Sequence, residues 1–144
     1  MRSISTLLAL ALAGIGNASL AQEASDTAHA GLKIELNAAA DMDGACRLSF
    51  LVENRLGAAL SEAVFETVLF DATGAVDRLT LFDMRDLPAG RPRVRQFQID
   101  DVSCARIGRI LINGAQTCKG EGIEEGACMD DLDLTSRTDI ELLG

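Results

Sequence analysis

The sequence predicts an all-β domain, an antiparallel sandwich of about seven strands, from three observations. Apolar side chains recur at every second position in short runs, the period of a strand with one buried face. Gly, Pro, Asn and Asp interrupt those runs at close intervals, as turns do. No run has the length and spacing of a helix that would cover a parallel sheet.

The chain opens MRSISTLLALALAGIGNASLAQ. A single Arg, an apolar run over 7–13 and small residues at Ser19 and Ala21 make residues 1–21 a secretory signal, with cleavage expected after Ala21. The run is too short to span a bilayer and no second one follows, so a soluble periplasmic or secreted product is expected. Residues 22–30, QEASDTAHA, are small and polar and read as a flexible tail that contains His29, the only histidine. Residues 31–144 remain for one domain, enough chain for one core and too little for two.

Within that domain, GLKIELN over 31–37 places Leu32, Ile34 and Leu36 on one face. CRLSFLVEN over 46–54 does the same with Leu48, Phe50 and Val52, against Arg47, Ser49 and Glu53 on the other. Residues 64–70 are rich in β-branched and aromatic side chains, Asp71-Ala-Thr-Gly74 is a turn, and 75–82 resume the strand. This hairpin reads as scaffold, its apolar residues explained by burial. Leu87-Pro-Ala-Gly90 makes another turn, and 94–99 and 107–113 are the last clear strands. All five phenylalanines, Phe50, Phe65, Phe70, Phe82 and Phe97, fall in these runs and are assigned to the core. From 114 to 144 the chain becomes a Gly-rich, acidic extension whose apolar ending, Ile140, Leu142 and Leu143, is placed to add an edge strand.

Cys46, Cys104, Cys118 and Cys128 are an even set in an exported chain, so two disulfides are expected. The preferred pairing joins Cys46 to Cys104 and Cys118 to Cys128, because the latter two flank KGEGIEEGA, a segment that needs closing. No Cys-x-x-Cys pair supports a zinc site, and no metal or other cofactor is expected.

The formal charge of −9, one unit more negative once Arg2 leaves with the signal, repels phosphate backbones and anionic headgroups. Nucleic acid and acidic membrane surfaces are therefore poor partners. Against this background RPRVR sets Arg91, Arg93 and Arg95 at period two. They suit a carboxylate-rich partner as a positive ridge, and as edge-strand charges they also deter sheet-to-sheet pairing. They share a face with Phe97 and Ile99 unless a bulge follows Pro92.

Two acidic stretches, Asp41-Met-Asp43-Gly and Asp130-Asp131-Leu-Asp133, resemble calcium ligands only loosely, since neither fits a twelve-residue loop. Solvated loop acids are the simpler reading. Nucleophilic catalysis lacks parts: no Gly-x-Ser-x-Gly elbow exists, and His29 would have to come from the tail. Asp71 and Asp77 flank the hairpin turn, where capping explains Asp71.

The run VENRLGAALSEAVFETVLFDATGAVDRLTLFDMRDLPAGRPRVRQFQI, residues 52–99, resembles the FxLYD-type immunoglobulin-like domains of bacterial exported proteins. It shows a strand ending in Asn, a strand ending Leu-Phe-Asp, a Gly turn and Leu-Pro-Ala-Gly before a last strand. That resemblance implies an immunoglobulin-like scaffold and no particular activity. GACRLSF, VSCARIGRILING and CKGEGIEEGAC make the whole chain similar to small exported proteobacterial proteins labelled by a twin-arginine (Tat) pathway signal, a group with no assigned reaction. The start MRS lacks the twin arginine, so the general secretion route is expected.

The functional expectation is a non-catalytic binding or structural module with a protein partner in the envelope, engaged through an exposed strand edge or the arginines. The alternative is a cation-stabilised binding protein of the envelope.

Overall fold

Alternation becomes pairing over residues 30–144, the part of the chain that the computed structural model describes. The expected signal, His29 and the expected tail up to that residue lie outside the described residues. Eight strands form: β1 (Leu32–Met42), β2 (Ala45–Asn54), β3 (Leu60–Asp71), β4 (Val76–Leu87), β5 (Arg93–Asp100), β6 (Ile107–Lys119), β7 (Asp133–Ser136) and β8 (Glu141–Leu143). A 3-10 turn over Cys104–Arg106 precedes β6. No helix among the described residues is long and apolar enough to cross a membrane.

The strands divide into two four-stranded sheets, β5-β2-β1-β7 and β4-β3-β6-β8. Side by side, β1, β2 and β5 occupy the places of the A, B and E strands of an immunoglobulin-like sandwich, and β3 and β6 those of C and F. The expectation of purely antiparallel sheets needs one correction. β7 pairs with β1, and β8 with β6, in parallel. Both come from the C-terminal extension, which returns across the sandwich and adds one strand to each sheet.

Period-two burial runs through 32–36 of β1 and 46–54 of β2 where the two layers meet. Leu32, Ile34, Leu36, Leu48, Phe50 and Val52 from the first sheet face Phe65, Leu69, Phe82, Met84, Ile110 and Ile112 from the second, all almost fully buried. At about 25 cal/mol per Å² of apolar surface, each such side chain contributes roughly 1.5–3 kcal/mol. Phe97 is partly buried against this core. Phe70 departs from the expected assignment: it projects from the outer face of the second sheet, where the Arg109 guanidinium lies 5.8 Å from its ring.

One buried polar residue organises a corner. Asn54, 1% exposed, donates from Nδ2 to the carbonyls of Ala58 and Leu87 at 2.8 Å each and accepts from the Leu56 N–H at 2.9 Å. Its own carbonyl accepts from the Gly90 N–H at 2.8 Å. The end of β2, the loop into β3 and the turn after β4 are thereby fixed together, and no polar group of this side chain is left unpaired.

The disulfides join Cys46 to Cys104 and Cys118 to Cys128, as the spacing argument expects. The first ties β2 to the turn that feeds β6, so it links the two layers. The second closes the loop between β6 and β7.

Candidate functional site

The β2–β5 ladder runs from Val52↔Arg93 to Ala45↔Asp100 without a register shift. No bulge follows Pro92, and Arg93 and Arg95 therefore keep the inward parity of Phe97 and Ile99. The sandwich margin makes this tolerable. β5 and β4 are edge strands of opposite sheets on the same side of the molecule, and the long side chain of Arg95 leaves the interior there. Its Nε donates to the Met84 carbonyl at 2.6 Å and its Nη2 to the Asp86 carbonyl at 2.8 Å. Arg78 of β4 reaches the opposite way, donating from Nη1 to the Asp100 carbonyl at 2.9 Å. Between these two links Phe82 and Phe97 stack with ring centroids 4.2 Å apart.

Arg95 thus closes a seam, with a side chain only 17% exposed. Arg93 is half-buried and donates to the carbonyl of its neighbour Pro92. Arg91 is exposed in the turn. Of the three arginines Arg95 is committed to the seam, while Arg91 and Arg93 keep access to solvent.

The outer face of the second sheet holds a feature that the sequence reading missed. Cross-strand registers align Leu79 with Val68, Val68 with Leu111 and Leu111 with Leu143, one residue from each of four strands. An adjacent row reads Val76, Phe70, Arg109, Glu141 through the same ladders. Leu79 is 66% exposed, Val76 58% and Leu81 49%. Burial accordingly explains one parity of the hairpin and not the other. The signal was present in the sequence, since Leu79, Leu81 and Phe82 place apolar residues on both faces of β4.

The end of the sandwich beside the Cys46–Cys104 disulfide carries two grooves. One, of about 760 Å³, runs between residues 37–39 of β1 and the start of β6, with Ile140 among its lining residues. The other, of about 570 Å³, lies between the β1–β2 turn and residues 101–106. Two of the acids considered for calcium are committed elsewhere. Asp41 accepts the Cys104 N–H at 2.7 Å, and Asp133 pairs with Arg55 at 3.6 Å. Among the described residues no three His, Cys, Asp or Glu side chains are grouped to hold a metal ion.

Among the described residues two carboxylates have shifted acidity, both for structural reasons. The hydrogen bond from Arg55 holds Glu53 below the ordinary carboxylate range, and the same guanidinium links the end of β2 to β7. Asp71 is lowered by its bond from the Thr73 hydroxyl and then by the Ala75 N–H. Its Oδ1 accepts from Thr73 N, Thr73 Oγ1 and Ala75 N, which is turn capping. Asp77 is engaged with the adjacent Arg78 at 2.6 Å. No family model, curated protein or solved structure matches this chain.

Proposed function

We propose that the chain is an exported, non-catalytic binding module that docks a protein partner on the outer face of the β4-β3-β6-β8 sheet. The observation that carries this reading is the apolar row headed by Leu79 and flanked by Val76 and Leu81. Large apolar side chains gathered on one exposed sheet face mark an interaction surface. Covering one such leucine contributes roughly 1.5–3 kcal/mol, so a few of them suffice to anchor a partner. The leader sequence and the two disulfides support an oxidising compartment for this work. A net charge of −9 supports a partner that is neither nucleic acid nor an anionic membrane surface. Arg91 and Arg93 are the side chains we assign to secondary, charge-guided contact with acidic groups of such a partner.

The test is quantitative crosslinking in the native envelope, comparing parent, Leu79→Glu with Leu81→Glu, and Arg91→Glu with Arg93→Glu. The leucine pair should lose its crosslinked partner at least tenfold while its unfolding curve stays near that of the parent. The arginine pair should weaken capture chiefly at low salt. Undiminished crosslinking by the leucine variant would refute the outer-face assignment.

A further inference from the structure

We infer that β1 carries a second site, an open strand edge over Ala38–Met42 that accepts an extended peptide of another protein by strand addition. This rests on the binding-module reading but on a different surface. β1 continues to Met42, whereas β7 covers only Lys33 to Leu36. The last bond of that ladder runs from the Arg137 N–H to the Leu36 carbonyl at 2.9 Å. The chain then turns away into β8 of the other sheet, and a bulge between Leu36 and Ala38 carries β1 onward with β2 as its strand partner.

The direction of the free groups follows from the register. Leu36 pairs with Phe50 and turns its carbonyl toward β7. Ala39 pairs with Leu48 and Asp41 with Cys46, positions of the same parity on β2. The main-chain N–H and C=O of Ala39 and Asp41 therefore point to the β7 side, beyond where β7 ends.

Other edges are managed. Arg95 occupies two carbonyls of β4, β5 carries inward-parity arginines, and β7 and β8 are only 4 and 3 residues long. Residues 38–42 hold neither Lys, Arg nor Pro, and their one charge, Asp41, is turned to accept the Cys104 N–H. Facing Ala38 and Ala39 is the groove of about 760 Å³, walled by Ala72, Ala105 and Gly108 and lined also by Ile107 and Ile140 and by the turn residues 137–139 that follow β7, within the range of ligand sites; Asp41 and Met42 line the neighbouring groove. A Cβ on Gly108 would stand 2.6 Å from the Asp71 carbonyl oxygen, so that wall is held tight against the hairpin turn.

These features define the occupant: an extended segment continuing the line of β7. Its main chain bonds Ala39 and Asp41, and small or aliphatic side chains at every second position enter toward Ile107 and Ile140.

The experiment selects peptides from a displayed random decapeptide library on the purified, disulfide-intact protein, then measures the enriched peptides by fluorescence anisotropy. Ala39→Pro removes an outward N–H without touching the β2 ladder and should weaken binding at least tenfold. Ala38→Lys leaves the main chain intact, places a charge on the edge and should weaken binding several-fold. N-methylation of alternate peptide residues should abolish binding in one parity and spare it in the other. Leu79→Glu should leave peptide affinity unchanged, so failure of the outer-face assignment and failure of this one are separate results. An empty selection, equal affinity for Ala39→Pro and Ala38→Lys and the parent, or N-methylation effects without parity would overturn the inference.

Discussion

Replacing Arg95 with Met should destabilise the protein by about 2–3 kcal/mol, whereas the same change at Arg93 should be worth less than about 0.5 kcal/mol. Met keeps most of the aliphatic stem, so the difference isolates the guanidinium. Arg95 makes two charge-assisted bonds to main-chain carbonyls of β4, at 2.6 Å to Met84 and 2.8 Å to Asp86, besides an exposed 3.2 Å contact to its neighbour Val94 that Arg93 matches at Pro92. The first is part-buried and falls in the range of about 1.5–3 kcal/mol for bonds to charged groups. The second is exposed and adds about 0.5 kcal/mol. The Asp86 carboxylate, 3.6 Å away and 64% exposed, adds almost nothing. Arg93 donates only to its neighbour Pro92 across an exposed 3.2 Å contact. Urea unfolding of parent and both variants, with unchanged slopes, measures the difference; for a domain of this size the Arg95 variant should also melt about 10 °C lower. The freed carbonyls reopen the β4 edge, so concentration-dependent association should accompany the loss. Equal stability of the two variants would refute the seam argument.

Asn54→Ala should cost about 3 kcal/mol in the same assay, because it orphans the Leu87 carbonyl in a buried site and two further loop groups. Removing Cys46–Cys104, with a separation of 58, should cost about 4 kcal/mol by loop entropy; removing Cys118–Cys128, with a separation of 10, about 2.7 kcal/mol. Paired Cys→Ser variants compared by urea unfolding test that order. Asp71 titrates below its ordinary value in the fold, so its capping stabilises fully above the ordinary carboxylate range and is lost as pH falls through the lowered value. Asp71→Ala should therefore melt below the parent at neutral pH and converge with it in strong acid, as thermal scans across pH would show.

What the sequence discloses and what it hides divides along physical lines. Strict alternation at Leu32, Ile34, Leu36 and at Leu48, Phe50, Val52 marks strands because two layers bury one face of each. Cysteine spacing gives the pairing because one pair brackets a short Gly-rich loop. The β1 bulge was illegible: Asn37-Ala-Ala-Ala has no apolar contrast from which to read a register. β7 was equally hidden, since four residues paired in parallel owe their conformation to their neighbours and not to propensity. At Arg95 the inward parity was readable, but its compatibility with a core was not. A side chain long enough to leave the interior and meet the opposite edge strand resolves that conflict. The outward leucines of β4 could be seen but not placed, because a pattern with both parities apolar does not say which face is covered.

The extension has a topological task that follows from these short strands. β6 belongs to one sheet and β7 to the other, so the chain must cross the sandwich and then hold a parallel pairing of only four residues. Such a ladder gains too few hydrogen bonds to offset the entropy of ordering the loop that precedes it. Cys118–Cys128 shortens that loop in the unfolded chain and anchors it in the fold through Cys128, which is fully buried. Met129, Leu132 and Leu134 then pack on the core, and Ile140 and Leu142 complete the other layer after the turn. Ser136 closes the passage by donating to the Ile140 carbonyl at 2.6 Å. The length of β7, and with it the point at which the β1 edge becomes open, is therefore set by where this stapled return must leave one sheet to enter the other.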